Sequence, residues 1–274
     1  MSSVAYLVRH GEVEHHRTDV SLTPRGREQA EAAGAVLAAR LAASPRLGLS
    51  GVSGAGNIVS IQHSPVRRVV ETAELLRASL SSALTTAGYA GRIAVSPPQP
   101  DEALCNVRFI LEPGREPEEP SLLHTQINTP AYLQAAPPAR VEFYRGFWSS
   151  NDPMGYWLTH DSAGAAETPA VVLNRLLTRL KNLFAAPART KRGPTPLANL
   201  HWIGVTHSGA MRVLLRQAFG EDPGEPNFCE VIGIEPAAAS NPRLGPRLGL
   251  SGVSGAVTLS YRGQSALLPI AESR

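Results

Sequence analysis

The stretch Val4-Ala5-Tyr6-Leu7-Val8-Arg9-His10-Gly11-Glu12 constrains this chain more than any other, because an unbroken apolar run stops abruptly at an arginine, a histidine and a glycine. A short apolar run ahead of a glycine break describes a buried strand of a parallel sheet. Open α/β sheets bind their ligands just beyond the carboxyl ends of such strands. Arg9 and His10 are therefore expected on the rim of a cleft.

The arrangement recurs twice. Asn57 to Gln62 is a β-prone run that ends in His63-Ser64-Pro65-Val66-Arg67-Arg68 and continues as a helical pattern from Val69 to Leu80. Trp202 to Thr206 ends in His207-Ser208-Gly209 and continues as a helical pattern from Ala210 to Phe219, with Gly220 placed to cap it. Three strand-to-helix corners thus bring histidines and arginines to one edge of one sheet.

These segments together resemble the histidine phosphatase superfamily, the fold shared by cofactor-dependent phosphoglycerate mutases and many phosphatases. Leu7-Val8-Arg9-His10-Gly11-Glu12 matches the family's nucleophile motif. Leu22-Thr23-Pro24-Arg25-Gly26-Arg27-Glu28-Gln29-Ala30 matches the Leu-Thr-x-x-Gly-x-x-Gln-Ala segment that opens its first helix. Ser64-Pro65-Val66-Arg67-Arg68-Val69-Val70-Glu71-Thr72-Ala73 is similar to its Ser-Pro-Leu-x-Arg-Ala-x-Gln-Thr-Ala, which puts the family arginine at Arg68 and leaves Arg67 pointing elsewhere. Val205-Thr206-His207-Ser208-Gly209 corresponds to the second histidine motif, with Ser208 where glycine is more usual. Four motifs in order and in context are specific, where one Arg-His-Gly triplet would not be. The resemblance implies a three-layer α/β/α fold with a central, mostly parallel sheet flanked by helices. The mutases of this family carry Trp-Asn after the nucleophile motif and a Phe-x-Gly-Trp segment soon after. This chain has Val13-Glu14-His15-His16-Arg17 and no tryptophan before Trp148, so a phosphatase is expected rather than a mutase.

Phosphoryl transfer to a side chain needs a nucleophile, cations to cancel the charge of the non-bridging oxygens, and a proton donor for the leaving group. Guanidinium forks match phosphate geometry and keep their charge, which suits Arg9 and Arg68. The resemblance makes His10 the nucleophile, passing through a phosphohistidine, and His207 is expected to stay partly cationic beside a dianion and to stabilise the developing charge. Ser64 and Ser208 are placed to donate to phosphate, although Ser64 equally suits an N-cap ahead of Pro65. In the family the proton donor is a Glu or Asp between the arginine motif and the second histidine, commonly just after a strand. Ile93 to Ser96 reads as that strand, so Glu102 is the expected acid and Asp101 the reserve, against the alternative of a solvated loop carboxylate. His15 and His16 with Glu12 and Glu14 lack the spacings of zinc sites, and no metal or cofactor is expected.

At 274 residues the chain can bury a large core, and one domain over 1–274 with a cap or substrate-recognition insertion at about 97–167 is expected. That insertion is Pro-rich, breaks the regular pattern and carries Tyr132, Phe143, Tyr144, Phe147, Trp148, Tyr156 and Trp157, which form either a lid or a satellite core. Arg140 and Arg145 within it could meet a second anionic group or stack on a ring, and the substrate itself is expected to be a small phosphorylated metabolite. Thr23-Pro24 and Thr168-Pro169 open helices that run to Ala43 and through Val172, Leu176, Leu180 and Leu183. Phe228 to Ile234 and Val257 to Tyr261 read as antiparallel strands added to the sheet. Pro45 to Ala55 recurs letter for letter at Pro246 to Ala256, which reads as a duplicated loop. Neither a membrane span nor a secretory signal pattern is present, so a cytoplasmic enzyme with Cys105 and Cys229 reduced is expected. The net charge of +3 comes from scattered arginines, and no nucleic-acid or membrane partner is expected. A homodimer through an edge strand or the aromatic insertion stays open.

Overall fold

A computed structural model describes residues 4–43, 57–184, 200–237 and 255–270. Both copies of the duplicated segment, apart from Gly255 and Ala256, and the polar loop read at Ala185 to Leu197 lie outside the described residues. Strands β1 (Val4–Arg9), β2 (Asn57–His63), β3 (Ile93–Val95), β4 (Gln99–Pro100), β5 (Leu200–Thr206), β6 (Val231–Pro236), β7 (Ala256–Tyr261) and β8 (Gln264–Pro269) form one sheet. Its order is β3-β2-β5-β1-β6-β7-β8, with β4 also paired to β2. The pairings among β1 to β5 are parallel, and β6, β7 and β8 are added antiparallel beside β1.

The helices are α1 (Pro24–Ala43), α2 (Arg67–Leu84), α3 (Pro120–Ile127), α4 (Pro130–Ala135), α5 (Pro138–Ser149), α6 (Pro153–Thr159), α7 (Pro169–Phe184) and α8 (Ser208–Phe219). Alternation along β1 explains the three layers. Val4, Tyr6 and Val8 face a core shared with Leu37 and Leu41 of α1 and Val69, Leu76 and Leu80 of α2. Ala5 and Leu7 face the opposite core, which contains Leu176 of α7, Leu214 of α8 and the aromatics of the insertion. A strand buried on both faces reads as a continuous apolar run, which is why the period of two is invisible in the sequence.

Two expectations need correction. The regular pattern does not fail between 97 and 167. It is cut into four short helices, each opened by a proline at its first turn: Pro120, Pro130, Pro138 and Pro153. Proline is favoured there because the first helical N–H has no partner to lose and φ is preset. Thr129 and Asp152 cap two of these helices, accepting from the backbone N–H of Tyr132 and Gly155. Nor do the aromatics form a satellite. Phe143, Tyr144, Phe147 and Trp157 are buried in the main core of that face, and Phe109 sits edge-on to Phe147 at 5.0 Å.

The β6 strand begins at Val231 and not at Phe228, because Cys229 adopts φ 58° and Glu230 N–H closes a turn onto Asn227 C=O. The final strand, β8, follows a two-residue hairpin at Arg262-Gly263, both with positive φ. Gly220 takes the left-handed C-cap of α8 as expected.

Candidate active site

The register of the sheet fixes the site. Arg9 pairs with Thr206 and His63 with Val205, so the ends of β1, β5 and β2 stand side by side. His10 N–H donates to Thr206 C=O at 2.9 Å and Ser64 N–H to Val205 C=O at 3.1 Å, extending the ladder one step beyond the strands. Arg9, His10, Arg68, His207 and Ser208 line one cavity of about 90 Å³, together with His16, Asn106, Glu119, Ser121 and Trp148.

The motif residues around His10 act through the backbone. Gly11 N–H donates to Thr72 Oγ1, whose hydroxyl donates to Arg68 C=O, and Glu12 N–H donates to Gln29 Oε1. Thr23 Oγ1 accepts from Gly26 N–H and caps α1. A Cβ on Gly26 would lie 2.2 Å from Glu12 C=O, and one on Gly11 would lie 2.4 Å from Gly26 C=O, so two backbones meet where no side chain fits. Gly26→Ala is expected to destabilise the fold by about 2–4 kcal/mol, by overpacking against backbone that cannot yield. Urea unfolding of both proteins measures it, and a loss under 0.5 kcal/mol would contradict the close approach.

His10 is 2% exposed, and its Nδ1 lies 2.8 Å from Gly11 C=O. A carbonyl only accepts, so Nδ1 carries the proton and Nε2 keeps its lone pair. Burial, then the charges of Arg68, His207 and Arg9, holds the imidazole well below the usual histidine range. The result is a neutral imidazole with its lone pair at Nε2, the form that nucleophilic attack requires. His207, 5.4 Å away between ring centroids, has Nδ1 facing Arg68 Nη2 at 3.4 Å and Nε2 facing Ser64 Oγ at 2.9 Å. Arginine only donates, so His207 Nε2–H donates to Ser64. Burial, then the charge of Arg68, holds His207 well below the usual histidine range as well. An incoming dianion reverses that field and favours protonation.

Arg68 is 2% exposed. Its Nη2 donates to Glu119 Oε1 at 2.7 Å, and its Nη1 is 3.8 Å from Asp19. Arg9 pairs with Glu225 at 2.8 Å, donates to Pro226 C=O and lies 4.1 Å over the Phe228 ring. Arg9 Nε, Arg68 Nε and Arg68 Nη1 are buried without an acceptor in the protein, which suits them to phosphate oxygens. Ser208 opens α8, whose N-terminal turn adds a positive dipole end at the cavity. Arg67 points away, donating to Glu71 Oε1. Ser64 does not cap α2, since Val66 holds that position and the Ser64 hydroxyl meets His207 and Cys105 Sγ.

The structure does not bring Glu102 to the cavity. The 3₁₀ turn at Glu102–Leu104 swings its side chain out to 69% exposure, where it accepts from Cys105 Sγ and Arg108. Asp101 is consumed by Ala103 N–H, which it caps, and by Arg179 at 2.7 Å. Two carboxylates line the cavity: Glu225, 42% exposed and paired with Arg9, and Glu119, N-cap residue of α3, with its side chain 10% exposed. Burial raises its pKa, against the opposing pull of Arg68. Its Oε2 has no partner. Glu102 retains only an indirect link, along Ser64, Cys105 and itself to the surface, with the Cys105 thiol pushed up to about 12 and so kept protonated.

Arg140 is spent on the C=O groups of Ile110, Leu111 and Gly164, and Arg145 lines a separate groove beside α4 and α5. Neither reaches the cavity. His16, considered in the sequence only as a metal ligand, lines the cavity with its ring 5.6 Å from His10 and stacked on Phe228. Glu225 bridges Arg9 and the buried Arg212, which also pairs with Asp152 and Asp222. The sequence signal that could have marked both glutamates is shared: Glu119-Pro120 and Glu225-Pro226 each place a carboxylate ahead of a proline that stiffens the backbone.

The family model described as histidine phosphatase superfamily (branch 1) matches residues 5–47. No curated protein matches the sequence. Among solved structures the chain is similar to a mycobacterial glucosyl-3-phosphoglycerate phosphatase, with 19% identity, 85% of this chain and 90% of that chain covered, and a TM-score of 0.45. It is also similar to a phosphoglycerate mutase from Bacillus anthracis, with 14% identity, 85% and 88% covered, and a TM-score of 0.45. A phosphoserine phosphatase from Entamoeba histolytica resembles it at 14% identity, with 85% and 90% covered and a TM-score of 0.39. The segment matched by that family model holds Arg9 and His10, and the other motif residues close around them in one cavity.

Proposed function

We propose that the protein is a phosphomonoester hydrolase that acts through a phosphohistidine at His10 on a small phosphorylated metabolite. The observation that carries this reading is the His10 imidazole, buried, neutral and protonated at Nδ1, facing a cavity whose arginines hold unused donors. His10 Nε2 attacks phosphorus as the ester oxygen leaves, and the phosphoryl group moves to nitrogen while Arg9 and Arg68 take up its charge. Glu119, whose carboxyl burial pushes above the ordinary carboxylate range against the pull of Arg68, gives a proton to the departing oxygen. The resulting carboxylate then takes a proton from water as that water displaces the phosphoryl group from His10, which returns both side chains to their starting state. Ser208 at the start of α8 and Ser64 beside His207 complete the donor shell.

Acid quenching is informative because phosphohistidine is acid-labile. Rapid-quench reaction with p-nitrophenyl phosphate is expected to give acid-labile protein-bound phosphate, stoichiometric with enzyme and unaffected by chelators. Acid-stable phosphate, or turnover with none bound, would defeat the covalent route. Transfer to phosphoglycerate in place of water would favour a mutase, and binding without turnover a phospholigand-binding module.

A further inference from the structure

We infer that Asn106, Ser121 and Trp148 form a leaving-group subsite for a compact, uncharged, hydroxyl-bearing group, so that the preferred substrates are phosphomonoesters of small polyols. This rests on the phosphatase reading of the cavity and specifies its substrate class. The cavity has two unlike ends. One is the phosphate clamp at the strand ends, and the other is a wall from the 97–167 region built of Phe147, Pro153 and Met154. Within that apolar wall stand three buried polar atoms with no partner in the protein: Asn106 Oδ1, Ser121 Oγ and Trp148 Nε1. Asn106 is 7% and Ser121 6% exposed. An unpartnered buried polar group costs about 1–3 kcal/mol, and folded proteins hold few. All three belong to residues that line the same cavity.

Their chemistry selects that ligand. Asn106 Oδ1 only accepts, Trp148 Nε1 only donates, and Ser121 does either. Hydroxyl groups both donate and accept, so adjacent hydroxyls satisfy all three atoms. A carboxylate or second phosphate cannot donate to Asn106, and it would meet no spare cation. The arginines lining the cavity are Arg9 and Arg68, both assigned to the phosphoryl group itself. An ammonium cannot accept from Trp148.

The wall is held in place. Arg175 Nη2 donates to the C=O groups of both Cys105 and Asn106 at 2.9 Å, fixing the backbone that presents the amide. A Cβ on Gly209 would lie 2.4 Å from Asn106 Oδ1 and 2.6 Å from Met154 Sδ, so the amide sits over the first turn of α8 only because residue 209 has no side chain. The Trp148 ring is braced edge-on against His124 at 4.8 Å.

The test compares kcat/KM for glycerol 1-phosphate, n-propyl phosphate and 3-phosphoglycerate, three-carbon esters that differ in hydroxyl and charge. Wild type is expected to favour glycerol 1-phosphate over each of the others by at least about tenfold, the yield of roughly one well-made hydrogen bond. Ser121→Ala and Asn106→Ala are expected to bring the glycerol-to-propyl ratio to within about threefold of unity. Equal rates for the glycerol and propyl esters, preference for 3-phosphoglycerate, or a ratio untouched by both substitutions would overturn the subsite. If either variant loses its near-ultraviolet circular dichroism, the wild-type ranking alone decides. Turnover of p-nitrophenyl phosphate with a flat ranking defeats the subsite only. No turnover and no bound phosphate defeats the phosphatase reading beneath it.

Discussion

His10→Ala is expected to lower kcat/KM for p-nitrophenyl phosphate by at least about four orders of magnitude and to abolish acid-labile phosphate on the protein. The effect is this large because nothing else in the cavity can take over. His207 is the other imidazole at the strand ends, but its Nε2–H is committed to Ser64 and its Nδ1 faces Arg68. His16 lies farther out beside Phe228 and the sequence holds it on no strand. Water could attack directly, but that route forfeits the two-step path that covalent catalysis provides. His10→Gln, which keeps more of the buried volume, guards against a packing artefact. Retained phosphoenzyme in either variant, or a rate within tenfold of wild type, would show that His10 is not the nucleophile. His207→Ala should retain more activity, because it removes a donor and not the attacking atom.

The framework and half of the site were legible in the sequence for one physical reason. Strand ends, glycine breaks and helix starts are local events that a few adjacent residues determine. Arg9, His10, Arg68 and His207 sit one to five residues from such an event, so their convergence follows once three parallel strands stand side by side. Arg67 and Arg68 were separable because one position along a helix turns a side chain by about 100°. Glu119 was not legible, because its placement depends on how α3 packs across the cavity, a contact spanning 51 residues to Arg68. Glu102 misled for the complementary reason. It follows a strand, where the resemblance commonly puts the acid, but a single 3₁₀ turn decides which way it faces, and that turn is set by Asp101 capping Ala103. Asn106, Ser121 and Trp148 carry no motif at all, and only their lack of partners distinguishes them.

Glu119→Gln is expected to separate substrates by leaving group. An alkyl phosphate expels a strongly basic alkoxide and needs the proton, so its kcat should fall by about 10²–10⁴-fold, the usual worth of a general acid. An aryl phosphate expels a stable phenolate, and its kcat should fall by less than about tenfold. The substitution keeps the shape and an oxygen for Arg68 Nη2, so the clamp survives while the proton is lost. The pH dependence carries a second signature. Burial raises the Glu119 carboxyl above the ordinary carboxylate range, with Arg68 opposing, and a bound dianion that shares Arg68 raises it further. The protonated acid is therefore present below that raised value and is lost as pH rises through it, giving an alkaline limb to kcat for alkyl esters. His10 works oppositely: its pKa is lowered, so the neutral nucleophile persists to well below the usual histidine range and the acid limb is displaced downward. Glu119→Gln should erase the alkaline limb and leave the acid limb in place. Equal losses on alkyl and aryl esters, or an alkaline limb that survives, would return the proton donor to another group, with Glu102 through Cys105 and Ser64 the next to substitute.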